Sequence, residues 1–396
     1  MIRTLALIAL GLALCSVRPA AGAEQVIHRG LGPAPGTLDI HRAQGISAFN
    51  LLRDLHEGLL TRDAGGRPVA AIARRWHVSG DGREWTFDFD PDARWSDGQP
   101  ITADDFVRGF ESARDPATAS PTARWLAPVV DIAAIAPDRL RIRLERRVPW
   151  FDELLTLPVA FPWPDGGRAV YSGAFVLERE TPGARFELAR NRHFRAAGDV
   201  GPDRVVWHVT EDPSAELARF RTGELHVTET VPPGRLDWLD AELGGALRVA
   251  PYLGSFYLAF NLSRPPFAGR PKVREALSLA IDRDILVDRV LGTGERPAWR
   301  LVPPGMPGWP PAGHEAQPGI AHMERAERIE RARELYRAAG FGRDRPLELE
   351  LRFNSSLSHR RLAVAVAAMW KQYLGVRTRL VNEEWKVFVT NRRHGR

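Results

Sequence analysis

Residues 93–107 read Ala93-Arg94-Trp95-Ser96-Asp97-Gly98-Gln99-Pro100-Ile101-Thr102-Ala103-Asp104-Asp105-Phe106-Val107. Two local rules are written into this stretch. Asp97-Gly98 is a tight-turn dipeptide, because glycine accepts the positive φ that such turns demand. Thr102, with an acid three positions later, spells a capping box. It predicts a helix starting after Thr102 and running through Phe106, Val107 and Phe110. Upstream, Trp85, Phe87 and Phe89 alternate with polar neighbours, the period of a half-buried strand. Downstream, residues 138–145 form a second strand candidate. Strand, turn, capped helix and strand together predict a unit of mixed α and β structure.

Working toward the N-terminus, Gln25-Val26-Ile27-His28 predicts an opening strand, followed by a Gly/Pro-rich loop through Gly36. Phe49, Leu52, Leu55, Leu59 and Leu60 fall at helical spacing over 48–60. Toward the C-terminus, four prolines between Pro149 and Gly167 turn the chain. Strand candidates at 175–177, 185–188 and 204–209 precede a short helix after Asp212. Residues 252–261 read as a buried strand. Pro271 is suited to the first position of a helix whose stripe is Val273, Ala276, Leu277, Ala280 and Ile281. A Pro/Gly-rich loop follows at 303–319. The last third then alternates: a helix carrying Ile329, Ala332, Leu335, Tyr336 and Ala339, a strand with Leu347, Leu349, Leu351 and Phe353, a helix with Leu362, Val366, Met369, Trp370 and Tyr373, and a strand at 376–381. No internal repeat is visible.

Met1-Ile2-Arg3, the apolar run Leu5–Leu14 and the small residues Ala21-Gly22-Ala23 predict a secretory signal cleaved after Ala23. The lone Cys15 offers a lipoprotein alternative, against which stands Leu14 where a small residue is needed. Cleavage after Ala23 leaves no cysteine, and hence neither disulfide nor thiol chemistry. Residues 24–396 exceed one ordinary core, so two or more lobes are expected. No later run is apolar enough to span a membrane. Without Arg3 and Arg18, 53 basic residues face 49 acidic ones, a net charge near +4. The basic residues are almost all arginine, and they are interspersed with acids. A nucleic-acid partner calls for a clustered basic footprint, and none is present.

Catalytic and cofactor constellations are equally absent. Asp104-Asp105 and Glu383-Glu384 are sequence neighbours, which do not face one another on a helix, and both pairs sit at expected helix starts. His56-Glu57 and His314-Glu315 lack the second histidine of a metal motif. The glycines of 30–36 are interrupted by proline, and no G-x-S-x-G or phosphate loop occurs. No catalytic residue, metal ligand or cofactor is therefore assigned. Trp76, Trp85, Trp95, Trp125 and Tyr257 are core residues by default, with Trp125 also a candidate pocket wall.

The 93–107 stretch has company. Thr37-Leu38-Asp39-Ile40-His41, Arg53-Asp54-Leu55-His56-Glu57-Gly58-Leu59, Trp85-Thr86-Phe87, Asp115-Pro116-Ala117-Thr118-Ala119-Ser120-Pro121, Phe260-Asn261, Ile281-Asp282-Arg283 and Glu384-Trp385-Lys386-Val387-Phe388 occur with it in a fixed order. Together they resemble the oligopeptide-binding proteins, the extracellular solute-binding family 5 of bacterial ABC importers. The resemblance implies an α/β two-lobe periplasmic binding protein, a type II-like clamp with an extra inserted domain. Lobe I would comprise 24–55 and 164–261, the insert 56–163, and the first part of lobe II 262–396. It implies that the family continues past the position of Arg396, where an aspartate gripping the peptide amino terminus follows a Gly-Trp pair. The second lobe is accordingly expected to be incomplete here.

The implied function is that of a monomeric periplasmic receptor without enzymatic activity. It would hold an extended oligopeptide and hand it to the permease subunits of an ABC importer. Carried over by position, the ligand contacts are Gln44, Gly45, Ile46, Thr122 and Arg392, with Trp125 nearby. Gln44 stands where many members have glutamate, and Thr122 where they have tyrosine. Other readings stay open: a member serving dipeptides, nickel chelates, sugars or opines, or a truncated remnant that binds nothing. A secreted hydrolase finds support only in stray carboxylates.

Overall fold

A computed structural model describes residues 24–250, 252–306 and 319–395. The signal segment, Cys15 and most of the 303–319 loop lie outside the described residues.

The chain opens with β1 (Val26–Gly32) and α1 (Ile46–Leu55). It then runs through β2 (Leu60–Arg62), β3 (Pro68–Ala70), β4 (Ala73–Val78), β5 (Glu84–Phe89), α2 (Ala103–Arg114), β6 (Val129–Ala136), β7 (Arg139–Leu144) and the single turn α3 (Phe151–Leu154). Strands β8 (Phe175–Thr181), β9 (Arg185–Arg190) and β10 (Arg204–Val209) follow, then helices α4 (Pro213–Arg221) and α5 (Leu236–Leu243). The last part contains α6 (Pro271–Leu279), the short α7 (Arg283–Ile285), α8 (Arg325–Ala338), β11 (Glu348–Asn354), α9 (Leu357–Leu374), β12 (Arg377–Glu383) and α10 (Trp385–Arg393).

Three bodies of structure result, each with its own core. In the first, β1 pairs parallel with β10, which pairs antiparallel with β9 and through it with β8. Its core gathers Leu31, Leu51, Leu55, Phe186, Leu188 and Trp207. The second is an antiparallel sheet in the order β4-β5-β7-β6, covered by α2. Phe87, Trp95, Phe106, Phe110 and Phe151 are fully buried there. The third is a parallel β11-β12 pair packed on α9, with α6 and α8 completing the layer.

The capped helix forms as its sequence dictates. Asp105 accepts from the Thr102 backbone N–H at 2.7 Å and from its hydroxyl at 3.2 Å. Trp95 Nε1 donates to the same carboxylate at 3.3 Å, which Arg108 also pairs. Gly98 takes the predicted turn with φ 87, its N–H on the Trp95 carbonyl. Phe106 and Phe110, one turn apart, then point into the sheet, and each such ring contributes about 3–5 kcal/mol relative to alanine.

The second body leaves and rejoins the first at adjacent points. Gly173 N donates to Leu55 O at 2.9 Å, and Glu57 N donates to Ser172 Oγ at 2.9 Å. Gly173 is required by this approach: a Cβ there would stand 2.6 Å from the Asp54 carbonyl oxygen. Arg195 then clamps Glu57 through two parallel bonds of 2.7 Å each.

Two local expectations are corrected. The first helix ends at Leu55, not near Leu60, because His56 is extended and Leu59 and Leu60 belong to the second core. The segment 252–261 is not a buried strand. Among the described residues it joins no sheet, so its apolar side chains have no face to cover: Tyr252 is 72% and Tyr257 60% exposed. Only Leu258 and Phe260 lean on the third core. Tyr257 is thus no core residue, whereas Trp85 and Trp95 are.

The buried Glu57–Arg195 pair makes a testable demand. Arg195→Met leaves a buried carboxylate uncompensated and is expected to lower unfolding free energy by about 3 kcal/mol. Urea denaturation measures this, and a loss under about 1 kcal/mol contradicts the role given to the pair.

Candidate functional site

The first and third bodies meet along the loop before α1 and the last helix. The third body presents α10 through a chain of local bonds. Glu384 caps it, accepting from Lys386 N at 2.8 Å and Val387 N at 3.3 Å. Glu383, just before it, accepts from Arg352 Nη1 and from Asn391 Nδ2 at 3.0 Å. The far end is pinned where Asn261 Nδ2 donates to Gly395 O at 2.6 Å. These acids therefore shape a helix start, as sequence position indicated.

Against this helix lies the loop of the first body. Gly45 is the N-cap of α1 with φ 91, and a Cβ there would touch the Trp385 indole at 3.5 Å. Gly36 approaches the Lys386 side chain in the same way. Two further bridges join the bodies: Arg361 Nη1 donates to Pro233 O at 3.2 Å, and Gly234 N donates to Leu291 O at 2.6 Å. At the junction of the bodies, the Phe256 and His359 rings lie 5.0 Å apart.

A cavity of about 310 Å³ opens at the meeting point, lined by Arg42, Gln44, Thr118, Ala119, Pro121 and Arg393. All three bodies contribute to it. A separate cavity of about 400 Å³ lies beside Trp95, Asp97, Asp105 and Arg168. Its acids are already engaged, Asp97 by Arg168 and Asp105 by the capping box, so its polar groups do structural work.

The site residues expected from sequence divide in two. Gln44 lines the cavity and Gly45 faces Trp385, with Ile46 beside them at 53% exposure. Arg392 lies in the last turn of α10, but its neighbour Arg393 is the one lining the cavity. Thr122 is buried, its hydroxyl 3.3 Å from Ser120 Oγ, and Trp125 packs on the second core. Neither of these two lines the cavity. Arg42, Arg393 and Trp385 lie outside the contacts the sequence predicts. No motif marks Arg42 or Arg393, while Trp385 sits in one of the resembling stretches.

Burial sets the charge states nearby. His41, 1% exposed beside Trp163 and Ser112, has its pKa lowered to about 4 by desolvation, with Asp39 opposing. His56 falls to about 4 for the same reason, with His41 adding repulsion. Asp54 rises to about 6 by burial, although Trp207 Nε1 donates to it at 2.9 Å. Among the described residues no three His, Cys, Asp or Glu side chains are arranged to hold a metal ion.

The sequence profile described as "Bacterial extracellular solute-binding proteins, family 5 Middle" matches residues 67–396. The chain belongs to the family 5 solute-binding proteins. Among its relatives is the periplasmic murein peptide-binding protein of Escherichia coli, 33% identical over 94% of this chain and 73% of the relative. A structure of that protein superposes with a TM-score of 0.88 at 33% identity, covering 94% of this chain and 78% of that one. Its unliganded open form gives only 0.63 at 32% identity, with 94% and 77% covered. The bodies here are therefore not arranged as in that open form. A Haemophilus influenzae oligopeptide-binding protein in complex with the peptide RPPGFSPFR matches at 0.87 and 29% identity, covering 94% and 78%. A probable deoxycholate-binding periplasmic protein of Escherichia coli is also 33% identical, over 94% of this chain and 74% of the relative. The fold is thus the α/β two-lobe clamp of family 5 binding proteins, a family of substrate-binding transport proteins.

Two outcomes follow from the site. Gly45→Ala forces a side chain into φ 91, ψ 161, a region almost confined to glycine, and is expected to cost about 1–3 kcal/mol in urea denaturation; no loss contradicts the conformation. His41 and His56 have folded pKa values below the unfolded 6.5, so the stability they confer is intact above pH 6.5 and is lost as pH falls toward 4. Each contributes up to about 3 kcal/mol to that loss. Imidazole NMR titration is expected to show both rings neutral at pH 5, and protonation near 6.5 contradicts the burial argument.

Proposed function

We propose that the chain is the periplasmic receptor of a peptide importer, enclosing an extended oligopeptide between its two lobes. The observation that carries this reading is the cavity shared by the loop before α1, the Thr118–Pro121 turn and α10. The close superposition on a peptide complex of a 29% identical protein supports it. Extended peptides are held mainly by main-chain hydrogen bonds, so such a site tolerates varied side chains. Hinge closure of the lobes around the ligand then presents one surface to a membrane partner.

The lobe boundaries proposed are 24–55 and 164–261 for lobe I, 56–163 for the insert, and 262 onward for lobe II. Separation of the cores and the Leu55–Gly173 junction support them. Gln44, Gly45, Ile46, Thr122, Trp125 and Arg392 are proposed ligand contacts. The first three have the stronger support, from Gln44 at the cavity and Gly45 against Trp385. The receptor is proposed to act as a monomer without catalysis, cofactor or nucleic acid, to be exported by cleavage after Ala23, and to dock on ABC permease subunits. A second reading, another organic anion in the same cleft, is favoured by the relative named for deoxycholate.

Thermal unfolding of the purified protein with a peptide pool, then mass spectrometry of retained ligand, tests the proposal. A ligand at a hundred times its Kd adds about 2.7 kcal/mol, a rise of several degrees in Tm. No shift with peptides, but one with deoxycholate, favours the second reading. Gln44→Glu is further expected to raise affinity for lysine-containing peptides relative to neutral ones. A strong lysine preference already present with Gln44 contradicts its assigned role.

A further inference from the structure

The cavity at the lobe junction has an unbalanced charge. Arg42 and Arg393 line it together with Gln44, and no aspartate or glutamate does. Several arginines elsewhere face an acid closely: Arg195 faces Glu57, Arg204 Glu178, and Arg352 both Glu350 and Glu383. Arg42 is held by Nε alone, which donates to Thr118 O at 3.1 Å and stands 3.7 Å from Asp39 Oδ2. Its Nη1 and Nη2, the edge that grips a carboxylate in a fork, bond to no described residue. The Arg393 guanidinium forms no ion pair or hydrogen bond with any described residue.

The two guanidiniums come from opposite lobes, one from the loop before α1 and one from the last turn of α10. Like charges brought to one cavity repel, and an anion placed between them relieves that repulsion. The cavity's remaining lining suits a short acidic side chain. Ala119, in left-handed conformation at φ 51, and Pro121 supply apolar wall for methylenes, and the Gln44 amide supplies another donor. At about 310 Å³ the space readily admits an acidic side chain as one part of a longer bound peptide.

We propose that this cavity is a carboxylate subsite that selects acidic peptides, an inference resting on the peptide-receptor reading above. The neutral Gln44 fits this role, since an acid there would neutralise the two arginines. It also makes ligand charge part of closure, since the carboxylate joins an arginine of lobe I to one of lobe II. The carboxylate could come from a glutamate or aspartate side chain or from the peptide's C-terminus.

Calorimetry of the full chain with tetrapeptides tests this. The peptides carry Glu, Gln or Lys at each interior position, with free or amidated C-termini. Glutamate over glutamine at one position is expected to tighten binding at least tenfold. In the R42Q/R393Q double variant the ratio should fall below threefold. An advantage that follows the free C-terminus upholds the subsite but assigns it the terminal carboxylate. Equal binding of all these peptides overturns the proposal, as does an advantage that survives the double substitution. If no peptide binds, the receptor reading fails separately, and titration with free glutarate, read by tryptophan fluorescence, decides the subsite. A saturable response lost in R42Q/R393Q upholds it; no response in the native chain overturns it. Arg42 is largely exposed at 57% of its side chain, so an unchanged melting curve checks that the variant folds.

Discussion

The Glu57–Arg195 pair holds this molecule's architecture together. It sits where the chain departs from the first α/β body into the antiparallel one, within a few residues of the point of return. A carboxylate this deeply placed is expensive unless two good bonds satisfy it, and the bidentate guanidinium does so. Its partner in turn is held firmly protonated by hydrogen bonding to Glu57 and by its charge. Breaking the junction would loosen the antiparallel body from the first, and with it the Thr118–Pro121 turn that walls the cavity.

Arginine chemistry recurs at every scale. The chain is nearly without lysine, and its surface is laced with planar fork-shaped pairs rather than point charges. Exposed pairs of this kind add little stability individually. Their value lies in geometry: Arg352 orients Glu383 at the start of α10, and Arg361 ties α9 to the Pro233 carbonyl. Against that background, a cavity lined by two arginines from different bodies and by no acid stands out at the place where the lobes meet.

The superpositions give the same junction a mechanical meaning. One relative's structure fits closely, and its open form fits poorly, so the arrangement of lobes here departs from the open form. Between them runs the segment 252–261, outside any sheet, with several aromatic side chains in solvent and Phe256 against His359. A connector with few buried contacts is the part of a clamp best able to change its backbone angles.

Local rules carried the sequence reading a long way. The 93–107 turn and capped helix, the Pro271 start of α6 and the alternating strand at 347–353 all form as their residues predict, because each depends on neighbours a few positions apart. The family, with its two-lobe α/β clamp, was legible from ordered stretches such as Thr37–His41 and Glu384–Phe388. Tertiary structure alone decided the rest. The segment 252–261 has strand-like residues, yet a strand exists only if another backbone accepts its hydrogen bonds. Leu59 and Leu60 continue a helical period but are claimed by a different core. Arg42 and Arg393 are unremarkable in an arginine-rich chain, and nothing in sequence joins residues so far apart. Only folding brings them to one cavity, because charge complementarity is a property of positions in space and not of order along the chain.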